Sequence, residues 1–137
     1  MKSNNILELG AGCGLAGLVC AHLSDVELVV FTDYDPGSLK LIKDNINANI
    51  INQNVKCYSH FLEWGKSCYD VKNIKEVNNL NGFHLIIGSD LIYSIDIINP
   101  LFHTIQQLMN TLNGKFLLVT SFMLNDVSIF MINYLIL

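Results

Sequence analysis

The sequence predicts an α/β protein built on a doubly wound, mostly parallel sheet, and three observations carry that expectation. Short β-branched or leucine-rich runs alternate with stretches of helical periodicity along the chain. A glycine cluster, Gly10-Ala11-Gly12-Cys13-Gly14, joins the first run to the first helix. Hydrophobic residues form 51% of the 137 positions against 15% charged, which suits a sheet covered on both faces or one with exposed core surface. The length is near that of one domain, so 1–137 is read as a single domain.

The elements follow in order. Ile6-Leu7-Glu8-Leu9 is the first strand, stopped by the glycines, and Leu15 to Leu23 is a helix whose small residues let it lie close to a sheet. Leu28 to Thr32 forms a second strand that ends at Asp33. Asp35 then supplies an N-cap and Pro36 the first helical position. Leu39, Ile42, Ile46 and Ile50 recur at three- and four-residue steps, the buried stripe of a helix reaching about Asn49. Val55 to His60 is a third strand, and Lys66 to Gly82, rich in asparagine, reads as a polar and partly disordered loop. Phe83 to Gly88 is the fourth strand, and Pro100 to Leu112 is a helix with Ile105, Leu108 and Leu112 turned inward. Lys115 to Ser121 is the fifth strand. Parallel strands in this order require right-handed crossovers, and such sheets bind ligands beyond the carboxyl ends of their strands.

Charge and composition narrow the function. Net charge is −4 and all eight basic residues are lysines, so there are neither arginine forks for phosphate nor a basic run to track a nucleic-acid backbone. A nucleic-acid partner is disfavoured. Cys13, Cys20, Cys57 and Cys68 show no C-x-x-C spacing, and the four histidines are scattered, which argues against a metal site and for a reduced, cytoplasmic setting. Met1 to Asn5 leads straight into a strand with no cleavable signal. Phe116 to Leu137 is apolar over 22 residues, but Ser121, Asn125, Asp126, Ser128 and Asn133 interrupt it. It reads as a strand, a loop and the start of a packed helix, and no membrane partner is expected.

The strongest chemical signal is Glu8 to Gly17, E-L-G-A-G-C-G-L-A-G, between strand and helix. Glycines there let the backbone turn tightly and approach a ligand, while the helix start offers unpaired N–H groups. Gly12, Gly14 and Gly17 also satisfy G-x-G-x-x-G, and Asp33 lies about 20 residues on, so periodicity alone leaves a dinucleotide cofactor open. A plain strand-to-helix turn would not need three alternating glycines.

Further motifs follow in order: Thr32-Asp33-Tyr34-Asp35-Pro36, Asn45-Ile46-Asn47-Ala48-Asn49, Leu62-Glu63-Trp64-Gly65 and Ser89-Asp90-Leu91-Ile92-Tyr93. Together with the glycine loop they resemble the methyltransferase-like protein-lysine methyltransferases, over residues 6 to about 121. The resemblance implies a Rossmann-like seven-strand methyltransferase fold, S-adenosyl-L-methionine as cofactor, no metal, and a protein substrate with a target lysine. It implies that Gly10, Ala11 and Gly12 hold the methionine part of the cofactor, Asp33 the ribose hydroxyls, that Trp64 borders the adenine, and that Ser89 lines the pocket. It further places Asp90 and Tyr93 at the mouth where lysine meets the methyl group. An acid and an aromatic ring there would hold and orient the approaching amine. The family has a helical segment before the first strand and closing strands after the fifth, so the domain is expected to be incomplete at both ends.

Each residue has a plainer alternative. Glu8 is either a solvated charge or a carboxylate near the cationic methionine end. Asp33 is either a cap for the following turn or a ligand acceptor, and Asp35 is better placed as the cap. Trp64 is either core or an adenine wall, and Tyr34 packs near the ribose or faces solvent. Cys13 is a space-filler more than a nucleophile, because no neighbouring base activates it. The plainer alternative for Asp90 is a cap on the next helix, with Tyr93 packed beneath it. The function expected is protein-lysine methylation. The alternatives are a catalytically weak cofactor-binding or interaction module, a small-molecule methyltransferase and an NAD-linked oxidoreductase.

Overall fold

A computed structural model describes residues 4–50, 54–74, 77 and 81–120. Five strands form one sheet in the order β3-β2-β1-β4-β5. They are β1 (Asn4–Leu9), β2 (Val26–Asp33), β3 (Lys56–Phe61), β4 (Leu85–Ser89) and β5 (Lys115–Val119). Every pairing is parallel. The chain starts in the middle, winds outward through β2 and β3, then crosses back to β4 and β5. The strand order therefore reverses at β1 and β4, and the crevice beyond their carboxyl ends is where such sheets take ligands.

Period-two alternation sends side chains to two cores. Leu7 and Leu9 of β1, Leu28 and Val30 of β2 and Ile86 of β4 pack on one face with Leu101, Ile105 and Leu108 of α4 (Ile98–Leu108). Ile6, Val29, Phe31 and Ile87 pack on the other with Leu18 and Ala21 of α1 (Leu15–Ala21) and Ile42 of α2 (Pro36–Asn49). The predicted stripe of α2 is present, with Ile42 fully buried and Leu39, Ile46 and Ile50 packed at its margin.

The structure corrects the sequence expectations at several boundaries. The polar loop after Lys66 contains a helical turn, α3 (Tyr69–Lys72), and Cys68, Val71, Ile74 and Val77 are buried. Their three-residue spacing is an apolar stripe diluted by charged and polar residues such as Asp70, Lys72 and Asn73. Strand β4 starts at Leu85, and Phe83 makes only an isolated bridge to Met109. Helix α4 starts at Ile98 after a 3₁₀ turn at Ile95–Ile97. Pro100 is thereby in the first helical turn, where its missing N–H costs nothing. The helix stops at Leu108, and Leu112 is 79% exposed instead of inward. Leu23 lies beyond the end of α1, and β5 ends at Val119. Ser121 and the C-terminal helix start fall outside the described residues. Among the described residues no helix is long and apolar enough to cross a membrane.

Candidate functional site

The glycine loop bridges the carboxyl end of β1 and the start of α1. Gly10, Gly12 and Gly14 have φ of +56°, +56° and +79°, the left-handed region that L side chains rarely adopt. The loop is pinned by backbone bonds from Ala11 N to Thr32 O (2.9 Å) and from Gly14 N to Ala11 O (2.7 Å). A Cβ on Gly10 would come within 2.8 Å of Leu91 Cδ2 and 3.3 Å of Trp64 Cζ2. A Cβ on Gly12 would meet nothing within 4 Å. One glycine is thus required by packing, while the other keeps open a space beside the loop. That space suits a ligand lying against the loop backbone.

Asp33, at the end of β2, is buried, and its carboxylate faces the loop. Gly12 N donates to Oδ2 at 2.9 Å and Asp35 N donates to Oδ1 at 3.0 Å. Each oxygen keeps a lone pair for a further donor. Asp35 is the N-cap of α2, with Ser38 N donating to its Oδ2 at 2.7 Å. Tyr34 between them is 65% exposed.

Glu8 does not project into open space. It is 4% exposed, and its Oε2 accepts a bond from Gly17 N at 3.0 Å. The carboxylate thus ties β1 to the first turn of α1. Burial pushes its pKa up to about 7, an effect that the Gly17 and Ala16 amides oppose and the charge of Asp33 reinforces. A carboxyl raised from about 4.5 to about 7 favours the fold fully below pH 4.5 and loses that contribution as pH rises through 7. Glu8→Gln, which cannot ionise, should therefore gain stability relative to the native protein between pH 5 and pH 8, by on the order of 2–3 kcal/mol. Parallel denaturation profiles for the two proteins across that range would contradict this.

Trp64 is half-buried and packs against the core on the α4 face. Gly65 N donates to the buried Thr104 Oγ1 of α4 at 2.8 Å, and a Cβ on Gly65 would sit 3.0 Å from Pro100 Cβ. This turn holds the indole against Gly10. At the end of β4 Ser89 is exposed, and Asp90 just beyond it has φ +54°, the one positive φ outside glycine among the described residues. Asp90 N donates to Val119 O at 2.9 Å. The turn drives Leu91 inward beneath the loop, so closely that a Cβ on Gly88 would lie 2.2 Å from Leu91 Cδ1. Tyr93 is 58% exposed, so it does not pack beneath the following helix.

The structure thus gathers Gly10, Ala11, Gly12, Asp33 and Trp64 around one loop, with Ser89 and Asp90 at the end of the neighbouring strand. Tyr34 and Tyr93 lie exposed at the rim. Sequence reasoning quoted Leu91 and Asn45 within its motifs but gave neither a role: Leu91 is the plug under Gly10, and Asn45 Nδ2 donates to Cys13 O at 2.8 Å. A separate cavity between Phe83, Met109, Lys72 and Gln107 lies at the amino ends of the strands. No group of three or more potential metal ligands occurs among the described residues.

A family model described as lysine methyltransferase matches residues 1–133. The chain belongs to this family. Among curated relatives, the protein N-terminal and lysine N-methyltransferase EFM7 of Candida glabrata is 35% identical over 125 residues, covering 88% of the chain and 46% of the relative. The protein N-lysine methyltransferase METTL21A of Danio rerio is 30% identical over 109 residues, 79% of the chain and 45% of the relative. The chain thus spans less than half the length of the curated relatives it matches. The solved structure of the glycopeptide N-methyltransferase MtfA complexed with S-adenosylmethionine superposes with a TM-score of 0.63 at 19% identity, over 85% of this chain and 47% of that one. At that identity the likeness speaks for the fold.

Proposed function

We propose that the protein is an S-adenosyl-L-methionine-dependent protein-lysine N-methyltransferase, carrying its cofactor on the glycine loop. The observation that supports this most is the open space at Gly12 beside the buried Asp33, in a chain of the lysine methyltransferase family. The bound cofactor supplies a methyl group on a cationic sulfur. Gly10, Ala11 and Gly12 would approach its methionine part, the spare lone pairs of Asp33 would accept from ribose hydroxyls, and Trp64 would wall the site at Gly10. Tyr34 and Ser89 would line its edges. Glu8 acts through Gly17, bracing the loop from behind.

Asp90 and Tyr93 follow the end of β4, next to that loop. The Asp90 carboxylate and the Tyr93 ring would hold the substrate lysine and align its amine, once deprotonated, for attack. A protein substrate fits the exposed ring, and four cysteines outside any disulfide suit the reduced cytoplasm.

Asp90→Asn tests the reading, because asparagine tolerates a left-handed φ and removes only the charge. Transfer of labelled methyl to lysines in a cell extract should fall at least tenfold while affinity for S-adenosylhomocysteine stays within twofold. Label appearing on nucleic acid or small metabolites, with none on lysine, would overturn the substrate class. Cofactor binding without any transfer by the native protein would favour a binding module.

A further inference from the structure

We infer that Asn45 is a positioning residue for the cofactor: its side-chain amide, donated from α2 to the Cys13 carbonyl, fixes the glycine loop in its binding conformation. This rests on the cofactor site proposed above. Thr32 O takes Ala11 N and Asp33 takes Gly12 N, which ties the first half of the loop to β2, and Leu18 N of α1 donates to Gly14 O at 2.9 Å. Between these anchors stands Cys13. There Asn45 Nδ2 donates to Cys13 O at 2.8 Å across 32 positions of sequence.

Packing supports the same contact. A Cβ on Gly14 would lie 3.2 Å from Phe31 Cδ1 of β2 and 3.5 Å from Ile42 Cγ1, so the loop sits between the sheet and α2, whose Ile42 and Asn45 lie on one face of the helix. Helix α2 begins three residues after Asp33, the proposed ribose acceptor, with its N-cap at Asp35. The acid and the loop are therefore tied twice, once directly through Gly12 and once through the body of α2. Three left-handed glycines make the loop costly to order, and each tether lowers the part of that cost borne by ligand binding. Removing the Asn45 tether should show as weaker cofactor binding more than as unfolding.

Substitution can separate the two. Asparagine is a poorer helix former than alanine, so Asn45→Ala does not weaken α2 itself. Asn45→Asp keeps the shape but turns a donor toward a carbonyl into an acceptor. Asn49→Ala is the control, since Asn49 Nδ2 donates one turn along to Asn45 O at 2.8 Å and touches no part of the loop. Calorimetry with S-adenosylhomocysteine should find affinity lower by about tenfold in Asn45→Ala, by more in Asn45→Asp, and unchanged in Asn49→Ala. The melting temperature of unliganded Asn45→Ala should stay within a few degrees of native. Native-like affinity in Asn45→Ala or Asn45→Asp, or an equal loss in Asn49→Ala, would overturn the inference while leaving the site assignment standing. Absence of binding by the native protein would overturn the site assignment and this inference with it.

Discussion

Replacing Gly12 with valine is expected to leave a folded protein that no longer binds S-adenosylhomocysteine, with affinity reduced at least a hundredfold. Nothing in the structure lies within 4 Å of the Cβ that such a change would add, so the free protein meets no clash. It does meet backbone strain, since valine at φ +56° costs about 1–3 kcal/mol. That is survivable for a domain with stability of about 5–15 kcal/mol. The added side chain stands in the space proposed for the ligand. Gly10→Val would be a poorer test, because its Cβ runs into Leu91 and Trp64 and would disturb the core with or without a ligand. Unchanged affinity in a folded Gly12→Val protein, measured by calorimetry, would rule out the placement of the site.

Asp33→Ala is the second large effect. The carboxylate holds Gly12 N and Asp35 N now and would accept ribose hydroxyls when the cofactor binds. Loss of a charged hydrogen-bonding partner is worth about 1.5–3 kcal/mol, so affinity should fall about ten- to hundredfold. Asp35→Ala provides the contrast. It removes only the cap on Ser38 N, so it should lower stability by about 1 kcal/mol and leave affinity within twofold. Matching stability and affinity losses in the two variants would mean that Asp33 serves the turn alone.

Most of the architecture was legible because it rests on local signals. The Asp35-Pro36 cap, the glycine run after Leu9 and the β-branched stretch before Asp33 each specify their element within a few residues. The sequence misled where long-range packing overrides local pattern. Leu112 continues the apolar spacing of α4, yet the helix has already ended and Met109 turns into an extended conformation. The apolar positions 68, 71, 74 and 77 were hidden among charged and polar residues such as Asp70, Lys72 and Asn73, and burial in the core orders them.

The same division holds at the site. The residue types and their order reveal the loop, Asp33, Trp64 and the turn after β4, because each follows a strand that can be recognised. What the side chains touch was not legible. Glu8 looked free to meet a ligand, but the first turn of α1 claims it. Gly17 completed the G-x-G-x-x-G spacing, and a Cβ there would strike Phe31 Cε1 at 2.4 Å and Glu8 Oε2 at 2.5 Å. It serves the packing of α1 on β2. Leu91 and Asn45 act on the loop from 32 or more residues away, a distance that no local pattern reports.

The dinucleotide alternative raised by Gly12, Gly14 and Gly17 makes cofactor selectivity the most direct test of the account. In a thermal-shift comparison, S-adenosylhomocysteine at a hundredfold excess over its dissociation constant stabilises the folded state by about 2.7 kcal/mol, a rise in melting temperature on the order of 10 °C. The account predicts that rise with S-adenosylhomocysteine and none with NAD at the same concentration. A rise with NAD and none with S-adenosylhomocysteine would contradict it.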